Sequence, residues 1–232
     1  MNYLITGAGR GIGLELTLFA LENGHSVITL VREPNNARSL AQAKKEYGDK
    51  LSVFKCDIAD PESLAQAHSQ AHELLGDFTL DVLINNAGVL LDDEERFDQL
   101  PLEKVINSLH VNAVGPVSVT QAFLPNLNKS ASAKLVNITS QMGSIADNAS
   151  GGYYGYRMSK AALNMFAKSF AVDHPKIITL LIHPGWVRTD MGGAQAPLLP
   201  RESARGVFKV ISEATKNETG RFFDYKGKEL PW

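Results

Sequence analysis

A single cysteine, two tryptophans and a net charge of only −2 in 232 residues put several kinds of protein out of reach. Cys56 has no partner for an intramolecular disulfide, so a reducing, cytoplasmic setting is expected. The absence of a basic run and of excess positive charge argues against nucleic acid as the main partner. No apolar run approaches the ~20 residues of a membrane helix. No charged leader with an apolar stretch and cleavage site opens the chain, so a soluble protein without an export signal is expected. Repeats, low-complexity tracts and Pro/Ser-rich linkers are also missing. At 44% hydrophobic and 21% charged, residues 1–232 read as one domain with a substantial core.

Short β-branched runs alternate with helical patterns. Strands are expected at 3–6, 26–31, 52–56, 82–85, 135–139, 177–182 and 221–225. Helical patterns fall at 61–75, 101–127, 155–172 and 201–215, and another follows the first strand with Leu14, Leu18 and Leu21 on one side. Several strands are apolar throughout, as when both sheet faces are covered. The expected fold is α/β: a single-domain Rossmann fold, with a doubly wound, mainly parallel sheet of about seven strands and helices on both faces.

Two patterns carry chemistry. Tyr156 and Lys160 lie four apart, a spacing that puts a phenol and an ammonium on one helix face. A nearby cation favours the phenolate and should bring its pKa down from 10 toward neutrality, giving an acid and base usable at physiological pH. Near the other end, the first strand breaks into Gly7, Gly9, Gly11 and Gly13 before a helix. Orphan N–H groups and the positive end of that helix would meet a pyrophosphate, with missing Cβ atoms allowing close approach. The run reads Thr-Gly-x-x-x-Gly-Ile-Gly rather than the common G-x-G-x-x-G.

In such sheets ligands sit beyond the carboxyl ends of the strands. Arg32 follows the second strand and, with Arg10, favours NADP over NAD, because a guanidinium forks onto a 2′-phosphate. Glu33 would take the ribose if the strand ended one residue later. Asp57 stands to accept from an adenine or to cap a turn, with Asp60 the better cap for the helix from Pro61. Asn86 and Gly88 would pass beneath a ribose and support the central strand. Thr189 could bond a carboxamide, and Gly192 and Gly193 offer hinge-like freedom.

These motifs together resemble the short-chain dehydrogenase/reductase family over essentially the whole chain. The residues that carry the resemblance are Thr6 to Gly13, the Asn85-Asn86-Ala87-Gly88 run, Ser140, Tyr156 with Lys160, and Pro184-Gly185. The closing residues 224–232 and the tyrosines around Gly155 look most like the branch of sniffer-type carbonyl reductases and C-signal-like proteins. Ser140 and Tyr156 lie sixteen apart where many members show thirteen, so the loop at 141–155 should reshape the substrate pocket.

The resemblance implies Asn112, Ser140, Tyr156 and Lys160 as the catalytic set. It implies cofactor contacts from Gly7, Arg10, Gly11, Ile12, Gly13, Arg32, Asp57, Ile58, Asn86, Ala87, Gly88, Tyr156, Lys160, Pro184, Gly185, Val187 and Thr189. The implied activity is NADPH-preferring interconversion of a carbonyl and an alcohol on a small or medium organic substrate, by a homodimer or homotetramer. The alternatives are an NAD-linked alcohol dehydrogenase, or a dinucleotide-binding regulatory or signalling protein with vestigial activity.

Pro116 lies four residues beyond Asn112 and has no N–H to give its carbonyl, which should therefore be free to hold a proton-relay water. His68 and His72 have helix-ligand spacing, with Glu73 adjacent, but no further ligand cluster accompanies them and no metal site is assigned. The acidic run Asp92, Asp93, Glu94 and Glu95 reads as a solvated loop. Cys56 reads as a small buried hydrophobe.

Overall fold

A computed structural model describes residues 1–92 and 95–232. Seven strands form one sheet: β1 (Asn2–Thr6), β2 (Ser26–Val31), β3 (Leu51–Lys55), β4 (Val82–Asn85), β5 (Lys134–Ile138), β6 (Ile178–His183) and β7 (Arg221–Asp224). Their order is β3-β2-β1-β4-β5-β6-β7, and every pairing is parallel. The chain reverses direction across the sheet between β3 and β4, which opens a crevice at the carboxyl edge beside β1.

The seven α-helices among the described residues are α1 (Gly11–Glu22), α2 (Arg38–Tyr47), α3 (Pro61–Leu75), α4 (Leu102–Leu109), α5 (Gly115–Leu127), α6 (Tyr154–Asp173) and α7 (Pro200–Glu213). Alternation along each strand sends neighbouring side chains to opposite faces. Ile5, Val27 and Ile84 pack with Leu16, Leu40 and Val207 of α1, α2 and α7. Leu4, Leu30 and Leu83 pack with Leu64, Phe123 and Phe170 of α3, α5 and α6. Phe123 and Phe222 are fully buried; each contributes about 1.5–3 kcal/mol by leaving water.

Three of the helices depart from the sequence expectations. The buried face of α1 is Leu16, Ala20 and Leu21, while Leu14 and Leu18 are only partly covered. The helix expected across 101–127 is two helices joined by a π-turn at His110–Val114. Helix α2 was not anticipated, because its sequence is mostly polar and only Leu40 and Ala43 face inward.

Asp92 is also a correction: it is not solvated but buried, at 1% exposure. Glu95 accepts a hydrogen bond from Lys104, and Asp93 and Glu94 lie outside the described residues. The His68 and His72 rings lie 4.6 Å apart at a tilt of 56°, and His68 packs edge-on against Phe123. Cys56 is buried, and that burial pushes its thiol up to about 12.

Candidate active site

The glycine turn is fastened to the segment after β4. Thr6 Oγ1 accepts from the N–H groups of Asn86 and Ala87, both at 3.0 Å. Asn86 Nδ2 donates to the carbonyls of Thr6 (2.9 Å) and Gly7 (3.2 Å). Gly7 has φ +67°, and a Cβ there would stand 2.8 Å from Ala87 Cα. Packing against this segment therefore dictates the glycine at position 7, a reason the sequence argument about ligand approach did not supply. Arg10 is the N-cap residue of α1, and no side chain caps that helix. Its first-turn N–H groups and positive end are left for an anion, so the turn fits a pyrophosphate. The side chain of Ile12 packs against the core. The Arg10 guanidinium is held 2.8 Å from Asp190.

Beyond the ends of β2 and β3, Arg32, Glu33, Lys55, Asp57 and Ser63 border a cleft of about 630 Å³. The guanidinium and the carboxylate singled out after β2 thus share one cavity. Asp57 Oδ1 accepts from Ala59 N–H at 3.0 Å, while Asp60 caps α3 by accepting from Glu62 N–H at 2.9 Å. The side chain of Ile58 is buried in the core, so only its backbone is available to a ligand. Lys55 was missed from the sequence. Its signal was a charged residue closing an otherwise mostly buried strand.

At the crevice, β5 delivers Ser140, whose Oγ accepts from Met142 N–H at 3.1 Å. Helix α6 carries Tyr156 and Lys160, both buried. Lys160 Nζ lies 5.7 Å from the centre of the Tyr156 ring and donates to the Ile138 carbonyl at 3.1 Å. Burial pushes the Tyr156 phenol up to about 12, opposed only in part by its hydrogen bond with Ser140. Burial also brings Lys160 down to about 8. The expected fall of the phenol toward neutrality is therefore not met by protein groups alone: desolvation, which raises the phenol and lowers the ammonium, dominates both shifts.

Asn112 lies in the π-turn and is fully buried. Its amide brackets Val89, accepting from the N–H and donating to the carbonyl at 2.8 Å each, and donates to Ser159 Oγ at 2.9 Å. A Cβ on Gly88 would be 3.1 Å from Asn112 Oδ1 and 3.5 Å from Lys160 Nζ, so the three positions converge. Ala87 packs against the core just before them.

Beyond β6, the Pro184 carbonyl accepts from Ser203 Oγ at 2.6 Å, Gly185 takes φ +86° and Val187 is buried. Thr189 Oγ1 accepts from Gly192 N–H at 3.1 Å, and Trp186 Nε1 donates to the Gly192 carbonyl at 2.7 Å. Arg188 Nε reaches the Ala196 carbonyl at 3.0 Å. The hinge expected at Gly192 and Gly193 is instead a turn laced by hydrogen bonds, because the side chains of Trp186 and Thr189 both hold Gly192. Sequence reasoning also missed Arg157, which donates to the carbonyls of Gly151, Gly152 and Met142 and to Ser150 Oγ. It pins the 141–155 loop to α6.

An anion-ready helix end facing a buried Ser–Tyr–Lys group across the edge of a parallel sheet is the arrangement of a nucleotide-dependent oxidoreductase. A model of the short chain dehydrogenase family matches residues 2–197, and the chain belongs to that family. Its relatives include C-signal of Myxococcus xanthus, 47% identical over 160 residues that cover 66% of this chain and 93% of that one. Among solved structures it is similar to the carbonyl reductase Sniffer of D. melanogaster (32% identity, TM-score 0.94, covering 100% of this chain and 99% of that one). It is also similar to the NADPH-bound carbonyl reductase from chicken fatty liver (32% identity, TM-score 0.93, covering 100% and 98%). Among the described residues no helix is long and apolar enough to cross a membrane.

Proposed function

We propose that this chain is an NADPH-preferring carbonyl reductase in which Tyr156 is the acid and base. The observation that carries the reading is the meeting of Ser140, Tyr156 and Lys160 at the sheet edge that also presents the N-terminus of α1. The glycine turn and the first-turn amides of α1 would hold the pyrophosphate, and Arg32, joined by Arg10, the 2′-phosphate. Asp57 and the Ile58 backbone would serve the adenine, Asn86 to Gly88 its ribose, Lys160 the nicotinamide ribose, and Pro184 to Thr189 the carboxamide. Bound NADPH would supply the hydride.

The chain's own groups handle the proton. A phenol held at about 12 is fully protonated at neutral pH and so is a donor, which suits the direction of carbonyl reduction. Ser140 donates to the substrate oxygen as negative charge develops there. Tyr156 transfers its proton to that oxygen, and the Lys160 ammonium stabilises the phenolate left behind. The phenolate would regain its proton through Lys160 from a water held by the Asn112 carbonyl, to which Pro116 offers no N–H. Segments bordering the crevice expose Ile145, Trp186, Met191 and Leu199, which favours a small or medium apolar carbonyl compound. The reading extends to a cytoplasmic homodimer or homotetramer.

Turnover of NADPH with a panel of aldehydes and ketones tests the reading. Tyr156→Phe should abolish it, and unchanged turnover would refute the role of the phenol. Arg32→Ala should raise the KM for NADPH roughly 10- to 100-fold while sparing NADH, the loss of one forked phosphate contact. Equal effects on both would favour an NAD-linked dehydrogenase. The 47% identity to C-signal supports a second reading, a nucleotide-binding signalling protein. No turnover of any carbonyl, together with retained NADPH binding, would favour it.

A further inference from the structure

Helix α6 begins without a cap of its own. Its N-cap residue, Tyr153, is left-handed at φ +51° and follows two left-handed glycines, Gly151 and Gly152. No Ser, Thr, Asp or Asn stands there to take the N–H groups of the first turn. Both residues that bear those N–H groups, Gly155 and Tyr156, are buried, so water cannot satisfy them. A carboxylate more than sixty residues earlier does so instead. Asp92 Oδ2 accepts from Gly155 N–H at 2.6 Å, and Oδ1 from Tyr156 N–H at 3.2 Å. The negative charge also lies at the positive end of the helix. Gly155 makes room for this arrangement: a Cβ there would meet Val105 Cα at 3.0 Å and Asp92 Oδ2 at 3.3 Å.

The same segment is held at two further points, Asn86 to the glycine turn and Val89 to the Asn112 amide. Asp92 is therefore the third tie of one short segment, and it grips the backbone of the residue that carries the phenol. We propose that Asp92 is a positioning residue for catalysis, setting the depth of Tyr156 relative to the glycine turn through the backbone of α6. This rests on the reading of Tyr156 given above. A shift of about 1 Å in a reacting group can cost on the order of 100-fold in rate. Binding at the glycine turn, on the other half of the sheet, should feel much less.

The test compares Asp92→Ala, Asp92→Asn and a control, Asp81→Ala, in the full-length protein. Asp81 also holds a backbone N–H, that of Asn2, but at the opposite edge of the sheet. The expected result is a kcat lowered roughly 10- to 100-fold in Asp92→Ala with the NADPH dissociation constant within about threefold of wild type. Asp92→Asn, which keeps one acceptor oxygen, should recover part of the loss, and Asp81→Ala should lower Tm without lowering kcat. Amide exchange should accelerate at Gly155 and Tyr156 in Asp92→Ala. Wild-type kcat in both Asp92 variants would overturn the proposal. So would kcat and NADPH affinity falling together in step with Tm, as for a purely structural residue. If the wild-type protein reduces no carbonyl, the functional reading fails instead. Unchanged amide exchange at Gly155 and Tyr156 would then overturn the cap on its own terms.

Discussion

Replacing Lys160 by methionine should make the protein more stable while removing its activity. Burial lowers this ammonium from 10.5 to about 8. Between those values the unfolded chain holds a proton that the folded chain has released, so stability rises with pH across the window from about 8 to 10.5. Below pH 8 both states are charged, and the native state carries the whole cost, about 3 kcal/mol. Methionine has a similar shape and no charge, so it removes that cost. It also gives up the 3.1 Å hydrogen bond to the Ile138 carbonyl, a loss of about 1 kcal/mol. The net gain at pH 7 is about 2 kcal/mol, or roughly 4–8 °C in Tm for a chain of this size. As pH rises the gain shrinks, and the two proteins should be equally stable near pH ~10. Urea unfolding of both at pH 7, 8.5 and 10, paired with turnover assays, measures this. A variant less stable at pH 7, or a difference that ignores pH, would refute the account of the buried charge.

Gly7→Ala places a Cβ 2.8 Å from Ala87 Cα in a left-handed backbone, and should cost about 2–4 kcal/mol, read as a lower urea midpoint. His183 has a buried Nδ1 without a partner, and burial drives its imidazole down to about 4, with Asp224 opposing. The native state therefore stays neutral while the unfolded chain gains a proton below pH 6.5, so stability falls as pH drops from 6.5 to 4, by up to about 3 kcal/mol. His183→Asn should flatten that acid limb, seen as a smaller change in urea midpoint between pH 7 and 4.5. Arg157→Ala frees the loop carbonyls that it holds, and should raise substrate KM by about tenfold or less with faster amide exchange around Gly151 and Gly152.

Strand positions, the parallel sheet and the pairing of Tyr156 with Lys160 were legible because each rests on local pattern: apolar runs, turn glycines and a four-residue spacing; Ser140 joined them through the family resemblance. The proline four residues beyond Asn112 pointed to a disturbance there, but the π-turn that splits the expected helix in two was not foreseen. What escaped depends on contacts far apart in sequence. Asp92 looked like any member of an acidic run, and only the approach of α6 makes it a buried cap. The inward face of α1 was misjudged because α7 and the sheet cover it from a direction that its own apolar spacing does not specify. The pKa of Tyr156 went the wrong way because spacing reports a neighbour's charge but not how little water reaches the pair.

Because β1 lies between β2 and β4, the seam joining the two halves of the sheet runs through the middle of the molecule. Only three residue pairs are in register along it, and its crevice end is closed by the four contacts of Thr6 and Gly7 with Asn86 and Ala87. Any molecule gripping both the glycine turn and Lys160 bridges that join. Ligand affinity and the cohesion of the two halves are then a single thermodynamic quantity, and weakening Asn86 spends from both.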